Sequence, residues 1–273
     1  MLDIIRVLIL SIVEGVTEFL PVSSTGHLIL VNEFVSLKPQ SFSNSFNVII
    51  QLGAILSVVV LYFEKLNPFS SNKSKQQKKN TIDLWLKVIV GVIPAGILGF
   101  LFDDFIDEYL FGPVTVTIAL FVWGIIIVWI ENKNKRISID SVYKITYKTA
   151  LLIGLVQCLA MIPGTSRSAA TIIGAMLLGC SRGAAAEFSF FLAIPTMFGA
   201  TLLKLAKMFL GGTIFTAWQW FLLFLGCVFS FIVALLVIKL FLNYVQKHNF
   251  KVFGYYRIAL SSILLVYFFF IKS

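Results

Sequence analysis

Residues 14–27 read Glu14-Gly-Val-Thr-Glu18-Phe-Leu-Pro21-Val-Ser23-Ser24-Thr25-Gly-His27. Two carboxylates, two serines, two threonines and a histidine fall within fourteen residues of otherwise apolar sequence. A second stretch, Pro163-Gly-Thr165-Ser166-Arg167-Ser168, has the same build: proline, then hydroxyls, then a charge. Around both, the chain is 59% hydrophobic and 13% charged over 273 residues, and its mean hydropathy is +0.94. Soluble domains carry about 25% charged residues, so this is the composition of a polytopic membrane protein. The net charge of +9 would point to nucleic acid in a soluble protein. Here the basic residues cluster in a few loops, as the positive-inside rule requires, and no nucleic-acid partner is expected.

Outward from the first stretch, residues 3–20 are an apolar helix candidate halted at Pro21, and residues 22–37 a second, polar at its start. Neither reaches the ~20 apolar residues of a clean span. Together they are expected to form a re-entrant hairpin. Spans are expected at about 46–63, 84–102 and 113–130. The order then recurs: 146–162 ending at Pro163, a short helix over 166–179, and spans at about 184–203, 217–238 and 253–271. Pro21 and Pro163 lie 142 apart (163 − 21), as do Ser24 and Ser166, Phe46 and Phe188, and Phe111-Gly112 and Phe253-Gly254. The expected fold is therefore a single all-α membrane domain over 1–273. Two repeats, about 1–132 and 143–273, each combine a re-entrant helical hairpin with three transmembrane helices.

An odd number of spans inverts the second repeat. Loop charges agree. Lys65, Lys73, Lys75, Lys78 and Lys79 lie in one loop, Lys133, Lys135, Arg136, Lys144 and Lys148 in another, Lys239, Lys247 and Lys251 in a third. All fall on one side, expected to be cytoplasmic, while Asp103, Asp104, Asp107 and Glu108 face the other. Both termini are then expected outside. The chain starts Met-Leu-Asp without a basic leader, so its first apolar segment is expected to belong to the mature fold. Cys158, Cys180 and Cys227 have no metal-ligand spacing and read as small core residues.

Helices broken at mid-depth expose backbone N–H groups that hydrocarbon cannot satisfy, so they persist only beside a polar cavity. Inverted repeats place a binding site where they meet, and half-helix N-termini favour anions. Glu14 and Glu18 are four apart and share a helix face. Side by side at low dielectric they need a shared proton or a cation between them, and oxygen ligands suit Mg²⁺ or Ca²⁺. Arg167 has no route to snorkel, and a central charge costs about 3 kcal/mol to insert. Its fork matches phosphate oxygens, although an ion pair with a glutamate would also explain it. Ser24 and His27 share a face. Either could attack phosphorus, with Glu18 or His27 serving Ser24 as base. Ser23, Ser24 and Thr25 also read as plain helix caps. Gln51 sits in an apolar span, placed to bond the site or to join helices. Arg182 and Glu187 are expected to pair locally, and Arg257, near a helix start, to snorkel. No Gly-Lys-Ser/Thr phosphate loop, His-Glu-x-x-His site or dinucleotide fingerprint occurs, which argues against ATP-driven work.

Glu14-Gly-x-Thr-Glu-Phe-Leu-Pro-Val-Ser-Ser-Thr-Gly-His27 and Pro163-Gly-x-Ser-Arg-Ser168 closely resemble the two signatures of the bacterial undecaprenyl-diphosphate phosphatases, the bacitracin-resistance family. The resemblance runs along essentially the whole chain, including Gln51-Leu-Gly and Glu187-Phe-Ser-Phe, with Ala169 where relatives often have Gly. It implies removal of one phosphate from a C55 isoprenyl diphosphate, which regenerates the lipid carrier for peptidoglycan. It implies a homodimer in the bacterial plasma membrane, with a divalent-dependent site facing the extracytoplasmic side. Glu14 and Glu18 would be the acidic pair and metal ligands, Ser24 and His27 the reactive pair. Arg167 would be the diphosphate clamp, with Ser23, Thr25, Ser166 and Ser168 around the anion and Gln51 and Thr165 in support. A carrier or flippase of the polyprenyl phosphate is the competing expectation, since many carriers are inverted repeats with broken helices. Phosphate release separates the two.

Overall fold

The structure is a computed structural model that describes residues 2–110, 112–133, 137–212 and 214–267, without the side chains of Asp103, Asp104 and Asp107. Several sequence features therefore lie outside the described residues: the Phe111 half of one repeat match, Lys135 and Arg136, those three aspartate side chains, and positions 268–271 of the last expected span.

Eleven α-helices follow in order among the described residues, with no strand. They are α1 (Leu2–Thr17), α2 (Ser24–Asn32), α3 (Gln40–Leu61), α4 (Phe63–Leu66), α5 (Lys75–Tyr109) and α6 (Pro113–Glu131). Then come α7 (Tyr147–Gln157), which runs into a 3₁₀ turn over Cys158–Met161, α8 (Arg167–Leu177), α9 (Arg182–Leu210), α10 (Ala217–Lys247) and α11 (Lys251–Val266). Five are long and apolar enough to cross a bilayer: α3, α5 over Lys75–Phe102, α6, α9 and α10. α1, α2, α7 and α8 are shorter, at 16, 9, 11 and 11 residues.

Local chemistry sets the ends. Ser74 with Gln77, and Thr216 with Gln219, form capping boxes that start α5 and α10. Pro113 occupies the first turn of α6, where its missing N–H costs nothing. The helices outrun the expected spans. α5 has 35 residues where hydropathy marks 84–102, and α10 has 31 where it marks 217–238. Apolar length reports the bilayer, roughly 30 Å thick, whereas a capped helix continues through charged turns beyond it.

Small residues let the helices approach closely. A Cβ on Gly53 of α3 would strike the backbone of Cys227 in α10, and one on Gly154 of α7 would strike the Gly91 carbonyl in α5. The basic loops meet at one end of the bundle. There Lys65 Nζ lies 2.7 Å from Glu187 and stacks over Tyr143. Glu131, at the end of α6, accepts two bonds from Arg182, at 3.0 and 2.6 Å, and one from the Phe250 amide at 2.9 Å. The expected local pair of Arg182 with Glu187 is therefore wrong. Each finds its partner on another element, because helix ends gathered at one face bring distant charges closer than sequence neighbours.

Candidate functional site

Both proline-broken segments end in the same unusual cap. Ser23 precedes α2 at φ 74° and Ser166 precedes α8 at φ 76°, the only non-glycine residues with positive φ among those described. Each hydroxyl accepts from the amide three residues on, Gly26 and Ala169, both at 3.2 Å. Such backbone costs of order 1–3 kcal/mol per residue and survives only where its surroundings hold it. The caps lie 143 apart (166 − 23), one residue off the 142 register. In place, Ser24 therefore corresponds to Arg167, and Ser23 rather than Ser24 corresponds to Ser166.

What holds the tips is Arg257 of α11, wholly buried. Its guanidinium donates to the carbonyls of Pro21 at 3.2 Å, Gly164 at 2.7 Å, Thr165 at 3.0 Å and Leu120 at 3.4 Å. It does not snorkel: it ties one tip to the other. The Ser168 hydroxyl makes a second tie, donating to the Leu20 carbonyl at 2.8 Å. Gly164 is required twice over, since its φ is +94° and a Cβ would press on the Val116 carbonyl.

At this junction Ser24 Oγ donates to Glu18 Oε2 at 2.5 Å, and Arg167 Nη2 to Glu18 Oε1 at 3.1 Å. Arg167 Nη1 donates to the Ser189 carbonyl at 3.0 Å, and Ser189 is held by Thr171 at 2.6 Å. Arg167 Nε is buried without a partner. One carboxylate thus joins a hydroxyl from the first tip to a guanidinium from the second. A cavity of about 600 Å³ opens over the group, with Glu18, Ser23, Ser24, Thr25, Ser166 and Arg167 at its floor and Gln51 beside them.

Four expected residues are not on that wall. Thr165 is buried with its hydroxyl unpartnered, and Ser168 is spent on Leu20. His27 Nδ1 lies 2.7 Å from the Ser23 carbonyl, which can only accept, so this nitrogen carries the proton. Its Nε2 meets the Tyr256 hydroxyl at 2.6 Å, with the rings nearly parallel. Glu14 is fully buried, and neither oxygen has a partner. A carboxylate so placed needs a proton or a cation. No group of three or more acidic, His or Cys side chains suited to a metal occurs among the described residues. Mg²⁺ makes do with one or two carboxylates and takes its other oxygens from water and phosphate. Glu14, one turn from Glu18, offers two idle oxygens to either a proton or a cation.

Tyr256 and Thr171 were missed in the sequence, Ser189 entered only within Glu187-Phe-Ser-Phe, and Arg257 was read as snorkelling rather than as a tie. Only Arg257 carried a signal there: the insertion cost that singles out Arg167 applies equally to it.

These features define the class: a multi-pass helical membrane protein with an ion-paired polar cluster where two broken helices meet. The particular family follows from comparison. Residues 7–263 match the family described as bacitracin resistance protein BacA, and the chain belongs to it. It is 56% identical over 270 residues to undecaprenyl-diphosphatase 1 of Clostridioides difficile, covering 98% of this chain and 97% of that one. It is 53% identical over 271 residues to the undecaprenyl-diphosphatase of Limosilactobacillus fermentum, and 50% identical over 268 residues to that of Enterococcus faecalis. Those alignments cover 98% of both chains and 97% of both chains, respectively.

Proposed function

We propose that the chain is an integral-membrane phosphatase that cleaves undecaprenyl diphosphate to undecaprenyl phosphate and inorganic phosphate. That would recycle the wall-polymer lipid carrier and confer bacitracin resistance. The observation that carries the reading is Ser24 Oγ set 2.5 Å from Glu18, with Arg167 on the other oxygen of the same carboxylate. Ser24 attacks the terminal phosphorus, Glu18 takes the hydroxyl proton, and the P–O bond to the lipid monophosphate breaks. Water then cleaves the phosphoseryl ester and restores Ser24. Arg167, with one N–H of each Nη engaged by protein, turns the other Nη donors to phosphate oxygens. The helix starts behind Ser23 and Ser166 add amides to the same anion. Ser24 is favoured over His27 as nucleophile because both nitrogens of His27 are bound elsewhere. Mg²⁺ on Glu14 and Glu18 would neutralise phosphate charge.

The matched caps support two inverted repeats whose hairpins enter from opposite sides. The gathered basic loops support a cytoplasmic face at that end, with the cavity opening to the other side. The test is phosphate release from farnesyl diphosphate by purified protein in detergent. Ser24→Ala should lower kcat by about 10⁶-fold, the loss typical of a nucleophile, and Arg167→Ala by about 10²–10³-fold, that of one transition-state donor. Chelation should silence the enzyme and Mg²⁺ should restore it. Full turnover by Arg167→Ala would remove the clamp, and no release by the unmodified protein would leave a carrier.

A further inference from the structure

Above its polar floor the cavity has different walls. It rises between α5 and α9, which touch where a Cβ on Gly91 would come within 2.9 Å of Leu192. One to two turns on, the space beside both helices is open. A Cβ on Gly96 or on Gly199 would meet nothing within 4 Å, although both glycines line the cavity. Both are exposed, as are Phe100 and Ala200, which line it too, and Ile97 and Leu202 beside them are exposed without lining it. Pro94 and Pro195 sit inside the two helices near this parting, each deleting a helical hydrogen bond. The result is a slot that joins the cavity to the membrane-facing surface. At the parting, Gly96, Phe100, Gly199 and Ala200 carry neither charge nor hydrogen-bonding side chain, as hydrocarbon demands, and Lys204 lines the cavity one turn further along α9.

Size shows what the slot is for, given the substrate class proposed above, on which this inference rests. Pockets of about 300–1,000 Å³ enclose ligands of drug size, well short of a C55 chain with its diphosphate. The cavity holds about 600 Å³ and must also take the diphosphate. Part of the chain must lie elsewhere, and bilayer is the apolar medium that the slot reaches. We propose that the slot between α5 and α9 is a lateral passage, through which the isoprenyl chain remains in the bilayer while its diphosphate rests on the floor. A long chain must thread the slot, whereas a chain of about ten carbons fits inside the cavity. The slot edges therefore set chain-length selectivity.

The test compares kcat/KM for C55 and C10 isoprenyl diphosphates in Gly96→Phe, Gly199→Phe and the double variant. Both substitutions enter open space and replace a mid-helix glycine, so neither weakens its helix. The long-to-short ratio should fall at least 10-fold in the double variant. An unaltered ratio overturns the passage, including one in which both substrates suffer equally. A second readout uses the unmodified protein and a C55 diphosphate probe with a photoreactive group beyond its fourth isoprene unit. Label should fall on peptides holding residues 96–100 and 199–200; label confined to other helices overturns the proposal. If the unmodified protein releases phosphate from neither substrate, the phosphatase reading falls, and the slot loses its occupant with it.

Discussion

Arg167 and Arg257 are both guanidinium groups sunk in apolar sequence, and their surroundings give them opposite work. Arg167 lines the cavity, paired with Glu18 and keeping a buried Nε without a partner. Arg257 is wholly buried and is bonded only to carbonyls, in both tips and in α6. Replacing Arg257 with Met would strand those oxygens, and each unsatisfied buried group costs about 1–3 kcal/mol. Since two strained serine caps depend on the same tie, the Arg257→Met protein should lose about 8 °C or more in Tm, taking ~2–4 °C per kcal/mol for a chain this large. Thermal unfolding in detergent checks this. An unshifted Tm would mean that the tips are held by something else. Tyr256, the neighbouring residue, holds His27 in the same way, so one turn of α11 fixes groups on both sides of the junction.

At the scale of elements, the bundle depends on a few crossings at which no side chain fits. Gly154 packs on the Gly91 carbonyl, which brings α7 onto α5 and carries the second tip into place. Gly154→Ala should force the pair apart at the ~1–3 kcal/mol typical of overpacking, lowering Tm by about 5 °C. Gly183→Ala, in the first turn of α9 with nothing within 4 Å, is the control and should leave Tm in place. Equal behaviour of the two variants would show that the α5–α7 crossing tolerates bulk. The same crossing explains the cavity. α5 is pinned at Gly91 by α7 and α9, and beyond that point it stays beside the 3₁₀ turn, where a Cβ on Gly99 would lie 3.6 Å from Met161, while the space at Gly96 is open.

At the scale of the molecule, the proposed orientation rests on charge. Glu131 and Glu187 are neutralised by Arg182 and Lys65 at the end where the basic loops gather. With Cys158, Cys180 and Cys227 replaced, an impermeant thiol reagent on intact cells should label Glu108→Cys and miss Gln76→Cys until the membrane is opened. The reverse pattern would invert the protein and point the cavity at the cytoplasm.

The class of protein, the two breaks at proline and the chemical types at the floor were legible in the sequence. Hydropathy, helix-breaking and capping are local, and act through residues a few positions apart. So Glu18, Ser24 and Arg167 could be named before any packing was known. Their assembly could not. Glu18 and Arg167 lie 149 residues apart, and only closure of the bundle makes one carboxylate serve both a serine and an arginine. The pairing of Arg182 with Glu131, the one-residue shift between the caps, the removal of His27 from the cavity wall and the burial of Arg257 have the same origin. Partners in a folded bundle are chosen by the distance across helix crossings, a quantity that no stretch of sequence contains.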